Sequence, residues 1–204
     1  MPQWSKLVKL YYLCYSSSMQ KKWMNNPELF CSELLKGYLW QLFVGERFRL
    51  MGYEVCVPQM SYKGLKHAKE YLNSRDLTVN GKIVEVKSRN YKFTSQDDFP
   101  FPTILIETKS GFEGKKDRPV MYVSVCQQNG AMCALDVKKT YNQWSAVKIY
   151  DRVRKVSSMT FQCEKGLWES VDSAAEHLIG PASDKNFGPT SVFGNGARWS
   201  PSDE

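Results

Sequence analysis

The chain has 204 residues, which by length is one domain with enough chain to bury a sizeable core. Hydrophobic residues make up 42% and charged residues 24%, a balance that excludes the collagen-like, wholly disordered and transmembrane classes. The formal net charge is +7 and unevenly placed: residues 1–90 carry 14 Lys plus Arg against 7 Asp plus Glu, and residues 91–204 carry 14 against 14. Such an excess reads either as a solubilising surface or as a patch for a polyanion such as nucleic acid.

Residues 1–27 form a basic, aromatic N-terminal segment. Lys6, Lys9, Tyr11 and Tyr12 do not have the layout of a secretory signal. Asn25, Asn26 and Pro27 mark a turn and a helix start. Residues 28–51 contain no proline and end at Gly52, which predicts one long, mostly buried helix. Its apolar stretch, 34–44, is interrupted by Lys36 and Gln41 and followed by Glu46, Arg47 and Arg49, so no membrane span is expected. A short strand is predicted over 53–57, then a basic loop over 61–74 with one helical turn around 65–71.

Residues 75–79 and 82–88 both read as strands, and the Asn80-Gly81 pair between them is a strong signal for a two-residue hairpin. That turn fixes the register: Val79 faces Lys82, Thr78 faces Ile83, Leu77 faces Val84 and Asp76 faces Glu85. The period of two then sorts the side chains. Leu77, Val79, Val84 and Val86 take one face, and Asp76, Thr78, Ile83, Glu85 and Lys87 the other.

Further strands are predicted over 103–108 and 120–127. Asn129-Gly130 sets up a second hairpin into 131–137, and short strands around 147–150 and 158–163 are expected to complete the sheet. Residues 167–179 have helical spacing, with Leu167, Val171, Ala174, Ala175 and Leu178 on one side. The main domain is therefore expected over 28–179, followed by a flexible Gly-, Pro-, Ser- and Asn-rich tail over 180–204. Cys14, Cys31, Cys56, Cys126, Cys133 and Cys163 form no C-x-x-C pair, and only His67 and His177 could join them. Zinc is disfavoured, and reduced core cysteines of an intracellular, cytoplasmic protein are expected.

Asp76 and Glu85, opposed on adjacent strands, would repel each other unless something neutralised them. A hard cation bound by one or two carboxylates and several waters suits such a pair, so Mg2+ (or Mn2+) is the expected cofactor. Lys87 projects from the same face and could hold a nucleophilic water or a phosphate oxygen. Carboxylates, a cation and a lysine suit phosphodiester hydrolysis, although Glu-x-Lys on a hairpin is also a common pattern of a solvated face.

The order of elements, helix, strand, Asp-bearing strand, Glu-x-Lys strand, carried by "LMGYEVCVP" and "SRDLTVNGKIVEVKSRN", resembles the PD-(D/E)XK nuclease superfamily. The resemblance implies an α/β fold with a central mixed β-sheet flanked by helices, that is, a restriction-endonuclease-like core. It also implies metal binding by Asp76, Glu85 and the Val86 carbonyl, with Lys87 positioning the nucleophile. Arg75 stands where the motif's name has a proline. Members commonly carry an acid on the first helix about eleven residues before its terminal glycine, and this chain has Gln41 there. Gln41 and Glu33, about two turns earlier, are equal candidates for the helix contribution; Glu46, about 140° round the helix from Gln41, reads as a surface salt-bridge residue.

The run "FTSQDDFPFPTILIET" resembles a segment of some phage-encoded nucleases of that superfamily, which points to a phage or prophage origin and to the host cytoplasm; its Asp97 and Asp98 read as loop residues. The leading expectation is thus a magnesium-dependent nuclease acting on DNA, approached over Lys63, Lys66, Lys69, Arg89 and Lys92. The alternatives are an inactive or repurposed nuclease fold that binds DNA or a host protein, which Gln41 favours, and an RNA-binding or RNA-cleaving protein. Cleavage of both strands or of a junction would favour a homodimer.

Overall fold

The computed structural model describes residues 27–59, 77–151 and 156–182. The N-terminal segment, the tail beyond residue 182 and the loop 61–74 with its expected turn lie outside the described residues. So do Cys14, Lys63, Lys66, His67, Lys69 and Asp76.

Helix α1 spans Pro27–Leu50, as the proline-free run predicts. Its C-terminus follows from Gly52 at φ 87. With that residue left-handed, the Gly52 N–H donates to the Arg49 carbonyl (2.9 Å) and the Tyr53 N–H to the Phe48 carbonyl (3.1 Å), satisfying carbonyls that the helix leaves unpaired. The Phe48 and Tyr53 rings close the motif edge to face, 6.1 Å apart. Trp40, Val44 and Phe48 recur every four residues and form the buried stripe. Among the described residues no helix is long and apolar enough to cross a membrane.

Strand β1 is only Val55–Cys56, shorter than the predicted 53–57, because Tyr53 is committed to the helix cap and Pro58 cannot donate to a ladder. Strands β2 (Leu77–Val79) and β3 (Lys82–Arg89) form the predicted hairpin. Its register is Val79↔Lys82, Thr78↔Ile83 and Leu77↔Val84. Asn80 and Gly81 both have positive φ, 46 and 73, the turn whose twist matches that of paired strands. Beyond a segment that includes β4 (Thr103–Thr108) and a short helix α2 (Lys109–Glu113), strand β5 (Met121–Cys126) returns parallel to β3, and β6 (Met132–Asp136) pairs antiparallel with β5. The result is a mixed five-stranded sheet ordered β1-β2-β3-β5-β6.

The β5–β6 turn is longer than a two-residue hairpin: the Cys126 N–H meets the Ala131 carbonyl at 2.8 Å, and of its residues only Gly130 has positive φ, 76. Helix α3 (Val137–Thr140) and a single 3-10 turn follow. Strands β7 (Ser145–Asp151) and β8 (Val156–Glu164) do not complete the first sheet. They join β4 in a separate three-stranded sheet ordered β4-β8-β7. The physical reason is that β4 and β8 each bury one apolar face, Ile104 with Ile106 and Phe161 with Cys163. Sequence alternation announces such a face without saying which sheet the strand will join. The predicted helix at 167–179 is also divided: Lys165–Leu167 is a 3-10 turn, Glu169 bridges to Ala134, and α4 (Val171–Leu178) starts where the Ser170 hydroxyl accepts from the Ser173 N–H.

Two cores lie on opposite faces of the five-stranded sheet. On one face α1 and α4 pack with Leu77, Val79, Val84, Met121, Val123 and Val125. On the other Tyr122, Cys126, Cys133 and Leu135 pack against Ile104, Ile106, Phe112, Phe161 and Cys163. Burial pushes the Cys133 thiol up to about 12 and the Cys163 thiol up to about 11, so both stay as neutral core groups.

The two turn glycines give a contrast in stability. A methyl group at Gly81 meets nothing within 4 Å, whereas at Gly130 it would lie 2.8 Å from Phe43 Cζ. In urea denaturation Gly81→Ala should cost about 1–2 kcal/mol, the left-handed penalty alone. Gly130→Ala should cost about 1–3 kcal/mol more, for the ring it displaces.

Candidate active site

Alternation along β3 gives the strand two unlike faces. Val84 packs into the core under the helices, with Val86 against it. Glu85 lies beside Tyr122 in the parallel register and Lys87 beside Ser124, so their side chains enter the layer between the two sheets. Lys87 Nζ donates to Glu85 Oε1 at 2.8 Å, so the two side chains share one face of β3, as the period of two expects.

Three residues that sequence reading did not select, Lys115, Glu107 and Tyr122, complete the cluster. Lys115 Nζ lies 2.8 Å from Glu85 Oε2 and 2.9 Å from Glu107 Oε2. Lys87 Nζ is 3.8 Å from Glu107 Oε1. The Tyr122 hydroxyl donates to Glu107 Oε2 at 2.6 Å, fixing that carboxylate from the floor of the sheet. The side chains of Glu85 and Glu107 are only 8% and 12% exposed, so each carboxylate depends on these partners rather than on water.

Glu107 reaches the cluster because β4 is irregular. Leu105 pairs with Gln162 and Thr108 with Thr160, which leaves Ile106 and Glu107 together opposite Phe161 alone. In a regular strand Glu107 would point away from buried Ile106. A bulge puts two residues against one and re-aims the second. No period-of-two reading finds it.

Burial acts to raise the Glu85 pKa, but the ammonium groups of Lys87 and Lys115 together outweigh burial and hold it below the ordinary glutamate value. Arg89, expected at the nucleic-acid surface, is withdrawn from it. Its guanidinium donates to the Leu105 carbonyl and, at 3.4 Å, to the Ser124 hydroxyl. Burial lowers its pKa, and it serves as a strut tying β4 to the central sheet. Lys92 is exposed.

Glu33 is exposed and Gln41 half-buried on α1, the helix that covers the Val84 face, opposite the one from which Glu85 and Lys87 project. Glu46 binds Arg49 at 2.7 Å, the surface ion pair expected of it. Asp98 accepts from Thr94 N–H at 2.8 Å and Ser95 N–H at 2.9 Å, which makes it a loop-closing residue.

A hard cation asks for oxygen donors, and Glu85 and Glu107 offer two carboxylates that converge on one point, where an ammonium group sits. Among the described residues no group of three or more His, Cys, Asp or Glu stands together. The two carboxylates are oxygen donors of the type a hard cation takes, and ammonium groups pair with both of them. No family model, curated protein or solved structure matches the chain.

The Glu85 pKa direction sets an acid response. A carboxyl held below its unfolded value contributes stability that is present above that value and is lost as pH falls through the folded one. Urea midpoints followed from about pH 6 down to about pH 3 should fall less steeply in Glu85→Gln than in wild type.

Proposed function

We propose that this chain is a magnesium-dependent nuclease with a restriction-endonuclease-like core that hydrolyses phosphodiester bonds in DNA, with Mn2+ as an alternative metal. The observation that carries the reading is the pairing of Glu85 and Lys87 on one face of the central strand, 2.8 Å apart, preceded by a helix, a strand and a hairpin strand in the order of the PD-(D/E)XK resemblance. Bound magnesium would supply a water of lowered pKa and a counter-charge for the phosphoryl oxygens.

In this reading Glu85 and the Val86 carbonyl hold the metal together with Asp76, which lies outside the described residues. Lys87, fixed by the ladder of β3, directs its ammonium at a water or a phosphate oxygen. Lys92, with Lys63, Lys66 and Lys69, forms the approach for the phosphate backbone. Cleavage of both strands or of a junction would call for two copies of the chain.

One observation favours a second reading, a repurposed fold that binds DNA or a host protein without cutting. Among the described residues Lys87 and Lys115 match the two carboxylates charge for charge, with ion pairs at 2.8 to 2.9 Å.

Branched, double-stranded and single-stranded DNA incubated with the protein and Mg2+ or Mn2+ separates the two. Wild type should cleave at least one of them. Glu85→Gln, Lys87→Met and Asp76→Asn should each slow cleavage by about a hundredfold or more, the scale of losing one transition-state contact. Binding that weakens steeply with salt, with no cleavage of any substrate, would replace the nuclease by the repurposed fold.

A further inference from the structure

Lys115 differs in kind from the other members of the cluster. Glu85 and Lys87 belong to β3, Glu107 to β4 and Tyr122 to β5, so their backbones are fixed in ladders. Lys115 belongs to the loop after α2, whose residues Gly114, Lys116, Asp117 and Arg118 are exposed. Its side chain enters the layer from a loop rather than from a strand.

It also occupies a particular place. Its Nζ touches Glu85 Oε2 at 2.8 Å, Glu107 Oε1 at 3.0 Å and Glu107 Oε2 at 2.9 Å. One ammonium group thus bridges two carboxylates from different sheets. Ordinary alternation would leave one of these carboxylates elsewhere; the bulge in β4 and the Tyr122 hydroxyl bring Glu107 to this point. Magnesium is held at about 2.0–2.1 Å by oxygen ligands, so carboxylates now spaced for an ammonium would close by less than about 1 Å around it.

We propose that Lys115 is an exchangeable counter-ion: its ammonium holds the point between Glu85 and Glu107 when no divalent cation is bound, and the metal must displace it to bind there. Glu107, rather than a residue of the first helix, is then the second described carboxylate of the site. This rests on the metal-dependent reading above and adds its regulation: Lys115 sets the metal concentration at which the site fills. It also keeps the cluster folded without metal, since two carboxylates this close would otherwise repel.

Mn2+ binding by calorimetry tests it without reference to cleavage. Lys115→Met should bind Mn2+ about tenfold more tightly than wild type or better, the scale of the charge-assisted hydrogen bonds that no longer have to break. It should also melt at a lower temperature without metal and gain more from Mn2+ than wild type does. Adding Glu107→Gln to Lys115→Met should remove the gain. Lys115→Gln, which keeps donors without the charge, serves if the methionine variant does not fold. Wild type supplies a third readout: acetic anhydride, followed by mass spectrometry, should modify Lys115 faster with Mg2+ present than without it.

Unchanged or weaker Mn2+ affinity in the folded Lys115 variants, or Lys115 acetylation indifferent to Mg2+, overturns the proposal. Cleavage by wild type with unchanged affinity in the variants overturns it alone. Tighter Mn2+ binding by the variants with no cleavage by any protein leaves it standing and removes the nuclease reading.

Discussion

The two unlike faces of β3 constrain everything around them. Apolar Val84 is paid into one core, while Glu85, Lys87 and Arg89 are directed into the layer between two sheets. Charges in such a layer are tolerated only with partners. The rest of that layer can be understood as the supply of those partners. Lys115 and Lys87 neutralise Glu85, Tyr122 and Lys115 hold Glu107, and the Leu105 carbonyl and Ser124 take Arg89. No buried side-chain polar atom among the described residues lacks a hydrogen-bond partner, which is the condition for a charged layer to be rigid rather than strained.

The apolar cores, rather than this layer, are the main source of stability. Taking two carboxylates and two ammonium groups out of water costs about as much as their mutual attraction returns. The favourable balance comes from the apolar clusters on either side, where Phe48, Val44, Leu77 and Val84 are wholly buried beneath the helices and Phe112, Ile104 and Tyr122 between the sheets. A cluster placed between two such cores has its geometry set by its neighbours.

Helix and smaller sheet make different contributions to the two faces of the central sheet. Helix α1 spends its apolar stripe, Trp40, Val44 and Phe48, on the core of the opposite face, and buried Gly45 lets it approach Val55 and Val57 closely. The second described carboxylate arrives from the smaller sheet instead. The three-stranded sheet is therefore more than a cover for the central one, because without its bulge and the loop after α2 the Glu85 carboxylate would have Lys87 as its described partner and a large part of its neutralisation would be gone.

The sequence by itself determined what local rules reach. Gly52 after a proline-free run set the end of α1, Asn80-Gly81 set the hairpin and its register, and the period of two put Glu85 and Lys87 on one face and Val84 on the other. Each is decided by backbone sterics or strand geometry over a few residues. Tertiary structure alone decided three things: that β4, β7 and β8 form their own sheet, that Arg89 points inward as a strut, and that Glu107 and Lys115 meet Glu85. Alternation says that a strand has a buried face but not what buries it. A bulge breaks the alternation at the residue where it was needed, and a lysine in a loop carries no period at all.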